Sequence, residues 1–468
     1  MLTTTRKNGA MFAWFKNQHW LAASLLIIVS ILPFFMTGAF HDSQRLITII
    51  ALGILISYQL MHHQKQPKVL LISLLLLLLW GSVLTLNSLS IAWSLIELLL
   101  FATLAIGIVT THYSDHHKTL RLLAGVFALC QAIYLLRALL NYSFILIHQD
   151  ILDVWNVIDG FSNIRFYAQF LSWTLPFILA YIIIHQQDKL YPWLLAAVIA
   201  SWVLVLISGT RAFLFGIAFS MIAVMWFTPS LWRSYAKAVV MTGLSGVLGY
   251  VILIFLMPML FGLDNSAALN STVNRDFTNS SGRVQIWLDT LSIIVTHPFM
   301  GIGPMMTAME GVLDKVAHPH NFPLQLAAEW GIPFASVVLL CITYMGWRWR
   351  NIIKAQPSER EALAFPIVAA ISSAMGTGLV DGILVMPVSL FYMTIITGLA
   401  FSLWCSWVKT SDWLTPPKIA YRTLMIIPLA LIIITASQWQ HLSDNPSPHQ
   451  LEPRFWADGK IRLPTNNP

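Results

Sequence analysis

The stretch AHPHNFPLQ, which ends at Gln325, groups several side chains that can move protons. His320 is the best candidate for a general base, because the pKa of a histidine side chain lies close to neutral pH. His318, Asn321 and Gln325 are candidates for orienting that base or for binding substrate. Pro319 restricts the backbone just before the next helix. These residue types predict a catalytic or binding loop.

This stretch has two other interpretations. His318 and His320 are two residues apart, a spacing that a metal-binding loop can use, but the pattern gives no complete ligand set, and no metal is predicted. The second alternative is a loop histidine that is hydrogen-bonded for structure alone. On these residues taken by themselves, that alternative stays open.

Four arginines stand near the ends of apolar segments: Arg137, Arg165, Arg211 and Arg283. Arginine binds phosphate through a rigid pair of donors, so a cluster of arginines predicts an anion site. The alternative for any one of them is contact with lipid headgroups. Arg211 lies in the tight turn SGTRAFLFG, which argues against that alternative for this residue.

Two carboxylates complete the set of candidates. Asp381, in GLVDGILVMP, lies at a predicted turn between two apolar segments, where it would orient His320 or bind substrate hydroxyls. A solvated carboxylate in a turn is an equal alternative. Glu97 lies inside an apolar segment, and a carboxylate in that position is a functional candidate by default. The sequence assigns Glu97 no specific role.

The elements that must position these residues are membrane helices. Hydrophobic residues make up 57% of the 468 residues and charged residues 10%, whereas soluble domains carry about 25% charged residues. Apolar runs of about 20 residues predict spanning helices and not a barrel. Three cysteines inside apolar runs give no disulfide or zinc framework. The net charge of +7 is spread over short loops, so nucleic acid is not a predicted partner.

The fold class predicted is an all-α polytopic membrane protein with about 12–13 transmembrane helices and a long outer loop subdomain. Predicted domains are residues 1–257, a bundle of nine spans; 258–331, the loop subdomain with an interfacial helix; 332–438, the last spans; and 439–468, a short outer tail. The predicted spans are 21–40, 44–62, 68–88, 91–111, 119–140, 164–186, 190–208, 212–229, 236–257, 332–349, 364–380, 384–407 and 420–438. Ser280 or Ser281 is predicted to cap the interfacial helix, with a stop at His297–Pro298.

Lysine and arginine placement orients the chain, because cytoplasmic loops are enriched in these residues. With the N-terminus inside, alternate loops are basic, and 17 of the 27 Lys and Arg residues fall on the inner side. The inner residues are Arg6, Lys7, Lys16, Lys65, Lys68, Lys118, Arg121, Lys189, Arg233, Lys237, Arg348, Arg350, Lys354, Arg360, Lys409, Lys418 and Arg422. The stretch containing His320 is therefore predicted to face outward.

Three motifs in order resemble the O-antigen ligase superfamily, which also holds O-antigen polymerases and bacterial O-linked oligosaccharyltransferases. SGTRAFLFG is similar to its Ser-x-(Ser/Thr)-Arg element, and SGRVQIWLDTLSIIVTHPFMGIG to its Arg-x-x-x-Trp helix and the sequel. Its late signature is similar to the stretch that runs from His320–Asn321 over nine residues to Gly331. The last position of that signature, usually a small residue or Tyr, is Phe334 here. HPHN…LQLAAEWGI and GFSNIRFYAQF look closest to the pilin-type transferases.

The resemblance implies an inverting glycosyltransferase without a cofactor, in a bacterial inner membrane, with its active site facing the periplasm. The donor would be a glycan on undecaprenyl pyrophosphate, and the acceptor a hydroxyl of a pilin-like protein. His320, Arg283 and Arg211 would be catalytic; Arg165, Asn321, His318, Asp381 and Gln325 would bind substrate. Membrane lipids are further partners.

Other functions fit the same sequence. An O-antigen ligase acting on lipid A-core and an O-antigen polymerase share the implied chemistry. A lipid-linked sugar transporter is the alternative from a different class, but transporters hold substrate near the midplane, and the polar groups here gather at one face. A third alternative, a eukaryotic surface receptor suggested by sequons at Asn270 and Asn279, is weaker still.

Overall fold

The computed structural model describes residues 18–36, 38–62, 66–148, 151–266, 282–314, 316–408, 413–414, 418–438 and 453–462. Helices dominate these residues, and two short antiparallel strands, β1 (Gln66–Pro67) and β2 (Trp413–Leu414), join two connections. The helices are α1 (Gln18–Ile31), α2 (Phe40–Met61), α3 (Lys68–Leu86), α4 (Ile91–Thr110), α5 (His116–His148), α6 (Tyr167–Ile184), α7 (Tyr191–Ser208), α8 (Arg211–Phe227), α9 (Trp232–Val251), α10 (Arg283–Thr296), α11 (Phe322–Trp330), α12 (Ile332–Ala355), α13 (Pro357–Gly378), α14 (Pro387–Trp407) and α15 (Lys418–Gln438). Four 3-10 turns lie at Leu32–Phe35, Val154–Asn156, Ile164–Phe166 and Met306–Ala308.

Every predicted span corresponds to a helix, α1 to α9 and α12 to α15. Among the described residues, ten helices are long and apolar enough to cross a membrane. Leu71–Leu86, Arg211–Phe227 and Arg422–Gln438 are apolar but shorter. The prediction of an all-α polytopic membrane protein is confirmed.

Two helices extend past their predicted ends into the predicted outer segments. α5 has 33 residues and continues to His148, whereas its predicted span ended at residue 140. At about 1.5 Å per residue it is longer than the hydrocarbon core of about 30 Å, so one end projects from the bilayer. α9 continues through the π-helical turn Ile252–Leu256 to Met257–Phe261, where Gly262 ends it with φ at 71°. Pro258 is tolerated because it opens this last turn. The predicted outer segment therefore begins later than residue 258.

Burial separates the centre of the bundle from its lipid-facing rim. In the spanning window that contains α6, 89% of residues are buried, whereas in the window of α12 only 6% are. α6 is thus enclosed by other helices, and most of α12 is left for lipid. A helix that is apolar all round fits either environment, which explains why hydropathy alone does not distinguish the two positions.

Small residues bring α8 and α13 into close contact. A Cβ added at Gly216 would lie 2.5 Å from the carbonyl oxygen of Ser373 and 2.3 Å from Oγ1 of Thr377. Gly376 packs in the same way against Phe219. Without side chains at these glycines, the two backbones approach as small residues allow in membrane helices.

Within the described residues, the predicted outer segment contains two helices that are too short to span, α10 and α11. α10 begins at Arg283 and ends at Thr296, in agreement with the predicted stop, while the predicted serine caps lie outside the described residues. Backbone bonds from Gly303 to Glu329 (3.0 Å) and from Ile332 to Pro298 (2.8 Å) tie the chain after α10 to the end of α11. Gly331 lets these backbones meet, because an added Cβ there would lie 2.1 Å from the oxygen of Phe299.

Candidate functional site

His320 lies in the loop before α11, and its backbone is left-handed. Its φ is 54°, and among the described non-glycine residues only Met305 also has a positive φ. A residue with a Cβ rarely adopts this conformation unless its surroundings impose it. The His320 N–H donates to Nδ1 of His318 (3.2 Å), and the two rings meet edge to face with centroids 4.1 Å apart.

The His320 ring faces Asp381. Nδ1 of His320 lies 3.5 Å from Oδ1 of Asp381, and that oxygen accepts a hydrogen bond from the Gly382 N–H at 2.8 Å. Burial would raise the pKa of Asp381, but His320, the Gly382 N–H and Arg283 outweigh burial and hold that pKa below its usual range. The carboxylate is therefore ionised at neutral pH and attracts a proton on Nδ1, which leaves Nε2 as the basic nitrogen.

Hydrogen bonds fix the loop on both sides of His320. Nε1 of Trp287, on α10, donates to the carbonyl of Pro319 at 3.0 Å. The Asn321 side chain caps α11 by accepting from the Leu324 N–H (2.9 Å), and its Nδ2 donates to the Leu379 carbonyl (2.9 Å). Asn321 thus attaches α11 to the end of α13, and the substrate contact predicted for it stays a prediction.

His318 points into the protein and is only 2% exposed. Its ring lies against Gly382, where an added Cβ would come within 2.2 Å of Cε1. Burial, followed by the neighbouring charges of His320 and Arg454, lowers the pKa of His318 well below its usual value. A neutral ring agrees with Nδ1 acting as an acceptor, so the contacts of His318 favour support of the His320 backbone over contact with substrate.

Three of the four predicted arginines interact electrostatically with one another, and two of them also interact with Asp381. Arg165 interacts electrostatically with Arg283, Asp381 and Arg211, and Arg283 in turn interacts with Asp381. Arg211 is the first residue of α8 and Arg283 the first of α10, so both guanidinium groups stand at helix N-termini, where anions are favoured. Arg165 lies half-buried over the ring of Trp155, 5.5 Å from its centroid.

The family model described as O-antigen ligase (Wzy_C) matches residues 195–339. These residues are similar to the O-antigen ligase family. The match confirms the predicted resemblance to the O-antigen ligase superfamily and indicates an O-antigen ligase-like glycosyltransferase. No curated protein matches the chain.

The residues matched by the family model contain only part of the site. Arg211, Arg283 and His320 fall inside the matched residues, whereas Arg165 and Asp381 fall outside them. The site is therefore assembled from the matched region together with the parts of the chain that precede and follow it. In the described chain, no group of three or more His, Cys, Asp or Glu side chains is placed to hold a metal ion.

Two predicted residues have their partners elsewhere. Arg137 is paired with Asp159 and lies over the ring of Phe34, 4.1 Å from its centroid. Gln325 is buried. With its side-chain amide oriented so that the oxygen faces Arg454, that oxygen accepts hydrogen bonds from Nη2 and Nη1 of Arg454 at 3.0 and 3.2 Å. The substrate contact predicted for Gln325 stays a prediction, while its observed partner is this interior arginine.

Arg454 was not predicted from the sequence. Its Nη2 lies 2.8 Å from Oε1 of Glu97 and 2.7 Å from Oε2 of Glu329, and all three side chains are buried. One signal was present, because a carboxylate such as Glu97 inside an apolar span requires a cation partner. The sequence does not show which of the outer cations that partner is.

Proposed function

We propose that the chain transfers a glycan from undecaprenyl pyrophosphate to a hydroxyl acceptor at the periplasmic face of the bacterial inner membrane. The supporting observation is the His320–Asp381 pair, 3.5 Å apart, with Arg165 and Arg283 interacting electrostatically with Asp381 and Arg211 with Arg165. A base and several fixed cations side by side are what this reaction needs, since it removes a proton from one oxygen and leaves negative charge on another.

In the proposed mechanism His320 takes the proton of the attacking hydroxyl. Nδ1 is directed to Asp381, so Nε2 receives the proton, and the carboxylate stabilises the imidazolium that forms. The separation of 3.5 Å is long for a hydrogen bond, and such contacts tighten when substrate is bound. Attack on the anomeric carbon opposite the leaving group inverts its configuration.

The departing pyrophosphate develops charge on its oxygens, and Arg211 and Arg283 would stabilise that charge. Each stands at a helix N-terminus, so backbone N–H groups add to the positive potential. Removing one preorganised donor of this kind typically lowers the rate about 10²–10³-fold. Arg165, half-buried beside them, would complete the binding of the donor phosphates.

For the acceptor we propose a Ser or Thr hydroxyl of a pilin-like protein. Its support is the similarity of HPHN…LQLAAEWGI to the pilin-type transferases. The alternative is the sugar hydroxyl of lipid A-core, which the O-antigen ligase match favours. Both acceptors present the same nucleophile to His320, so the mechanism is common to the two.

The deciding experiment supplies a lipid-linked oligosaccharide in cells and offers both a pilin and lipid A-core. Wild type is compared with His320→Ala and with His297→Ala, an exposed histidine at the end of α10 that serves as a matched control. We expect transfer in wild type and His297→Ala, and a loss of about 10²–10⁴-fold in His320→Ala. Transfer to lipid A-core alone would replace the pilin proposal by the ligase. Full activity of well-expressed His320→Ala would remove the proposed base and favour the transporter.

A further inference from the structure

Most of residues 453–462, here called the C-terminal segment, are buried although they form no helix. Arg454 is 2% exposed, and Phe455, Trp456 and Ala457 are buried as well. An arginine out of water is stable only when its donors are paired, so a buried guanidinium indicates a site built to receive it. The guanidinium of Arg454 is far in sequence from every group that it contacts.

The guanidinium of Arg454 joins three parts of the molecule. Nη2 contacts Glu97 of α4 and Glu329 of α11, and Nη1 donates to Oγ1 of Thr307 (3.0 Å) and to the carbonyl of Ala317 (3.3 Å). Ala317 immediately precedes His318, so one of these contacts is made to the loop that carries His320. Burial alone would lower the pKa of Arg454, but the two carboxylates raise it, and the charge is retained.

We propose that Arg454 is a positioning residue for glycan transfer, through which the C-terminal segment holds the His320 loop in its active geometry. This inference rests on the proposed function. α11 is fixed at its start by Asn321 and at its end by Glu329, whose carboxylate also accepts from the Thr307 N–H at 3.2 Å. Between these attachments His320 keeps a left-handed backbone, which persists only where neighbouring contacts impose it.

The C-terminal segment is itself held on two sides. Arg45 of α2 donates to the carbonyls of Arg454 and Phe455, both at 3.0 Å, and Asp42 accepts from the Ala457 N–H at 2.7 Å. Further along the segment, two bonds reach the loop between α10 and α11. The Ile461 N–H donates to the carbonyl of Ala308 (2.9 Å), and Nζ of Lys460 donates to the carbonyl of Val316 (2.9 Å). The backbone around Arg454 is therefore held in place by hydrogen bonds on both sides, so its guanidinium has a defined position.

The test compares Arg454→Gln with Arg462→Gln in the full-length protein. Arg462 lies in the same segment, but its side chain is 78% exposed. Its Nε lies 3.7 Å from Oε2 of Glu310, which makes a long, exposed ion pair. Both variants are purified in detergent, and transfer is measured per folded molecule. Displacing a catalytic group by about 1 Å can lower the rate about 10²-fold, so we expect Arg454→Gln to lose about 10–10² in kcat with KM for the donor nearly unchanged. Arg462→Gln should match wild type.

Arg454→Lys separates positioning from simple stability. It retains the charge but not the planar pair of donors, and we expect it to restore only part of kcat. A kcat of Arg454→Gln equal to wild type, or a loss seen only as less folded protein, would overturn the proposal. Should Arg454→Gln fail to fold, Thr307→Val decides instead, because it removes one partner of Arg454 and keeps both ion pairs. We expect Thr307→Val to lower kcat several-fold, and an unchanged kcat would contradict the positioning role of Arg454.

Hydrogen exchange of the backbone provides a measurement that does not depend on the reaction. In Arg454→Gln, or in Thr307→Val if that variant fails to fold, peptides covering residues 316–325 should exchange faster, whereas in Arg462→Gln they should not. If wild type transferred no glycan, the proposed function would fail, and the positioning of the His320 loop would still stand or fall on this exchange. Unchanged exchange would refute the positioning contact even in an active enzyme.

Discussion

At the residue scale, the site depends on a pair of side chains whose roles differ because their surroundings differ. His320 is partly exposed beside the ionised Asp381, whereas His318, two residues earlier, is buried and accepts a backbone N–H. The two histidines therefore differ in environment: His320 is partly exposed to solvent, whereas His318 is buried in the interior. The sequence identified the stretch, but the two histidines cannot be distinguished without the backbone turn at Pro319.

Replacing Asp381 by Asn tests whether the carboxylate orients His320. The Asn amide can donate to Nδ1, which would place the ring proton on Nε2 and remove the base without emptying the site. We expect kcat to fall about 10²–10⁴-fold, with the thermal unfolding temperature little changed. Asp289→Asn, on α10, serves as the control, since that carboxylate bonds to Gln285 (2.7 Å) and not to the histidine loop. Equal activity of the two variants would contradict the orienting role.

Burial of a neutral His318 predicts that the fold is sensitive to acid. Its pKa is lowered well below the ordinary 6.5, so below pH 6.5 the unfolded chain binds a proton that the folded chain does not. Stability should therefore be complete above about pH 6.5 and decline as pH falls below it, toward the lowered pKa. His318→Gln should flatten that part of the profile, as measured by thermal unfolding from pH 7 to pH 5. A variant with the slope of wild type would rule out His318 as the source.

At the element scale, the site is positioned by the contact between α8 and α13. Arg211 begins α8, and Asp381 follows the end of α13, so the close approach at Gly216 sets the spacing of the arginine and the carboxylate. The helices themselves were predictable, because runs of apolar residues of spanning length allow little else. Their neighbours were not, since nearly every face of such helices is apolar and the glycines that pair α8 with α13 are visible only after folding.

Gly216→Ala should separate these two helices. Its side chain would meet backbone and side-chain atoms of α13 within 2.5 Å, and a backbone cannot give way as the end of a flexible side chain can. We expect a loss of thermal stability of about 1–3 kcal/mol and a larger relative loss of transfer, because Arg211 moves with α8. Gly243→Ala is the matched control, since the nearest atom there is 3.9 Å from the added Cβ. Similar behaviour of the two variants would show that the close contact is not needed.

At the scale of the whole molecule, all site groups collect at one end of the helix bundle. Several parts of the chain meet there: the starts of α2, α4, α8 and α14, the ends of α13 and α15, the loop between α10 and α11, and the C-terminal segment. The alternation of basic loops predicted the side of each helix end and therefore this gathering. It did not predict that residues 453–462 enter the interior, because a short polar tail after the last apolar helix carries no pattern that distinguishes a folded segment from an exposed one.

This arrangement predicts the membrane side on which the C-terminal segment lies. Ile461 pairs with Ala308 in the loop that leads to His320, so residue 462 and the site share one face. Lys189 lies exposed in the basic connection between α6 and α7, at the opposite end of α6 from Arg165. After replacement of Cys130, Cys341 and Cys405, single cysteines are placed at Arg462 or Lys189. A maleimide that cannot cross the membrane should label Arg462→Cys in cells with only the outer membrane opened, and Lys189→Cys only after the inner membrane is broken. The reverse pattern would invert the topology and place His320, Arg211 and Arg283 in the cytoplasm, where a periplasmic transfer reaction cannot take place.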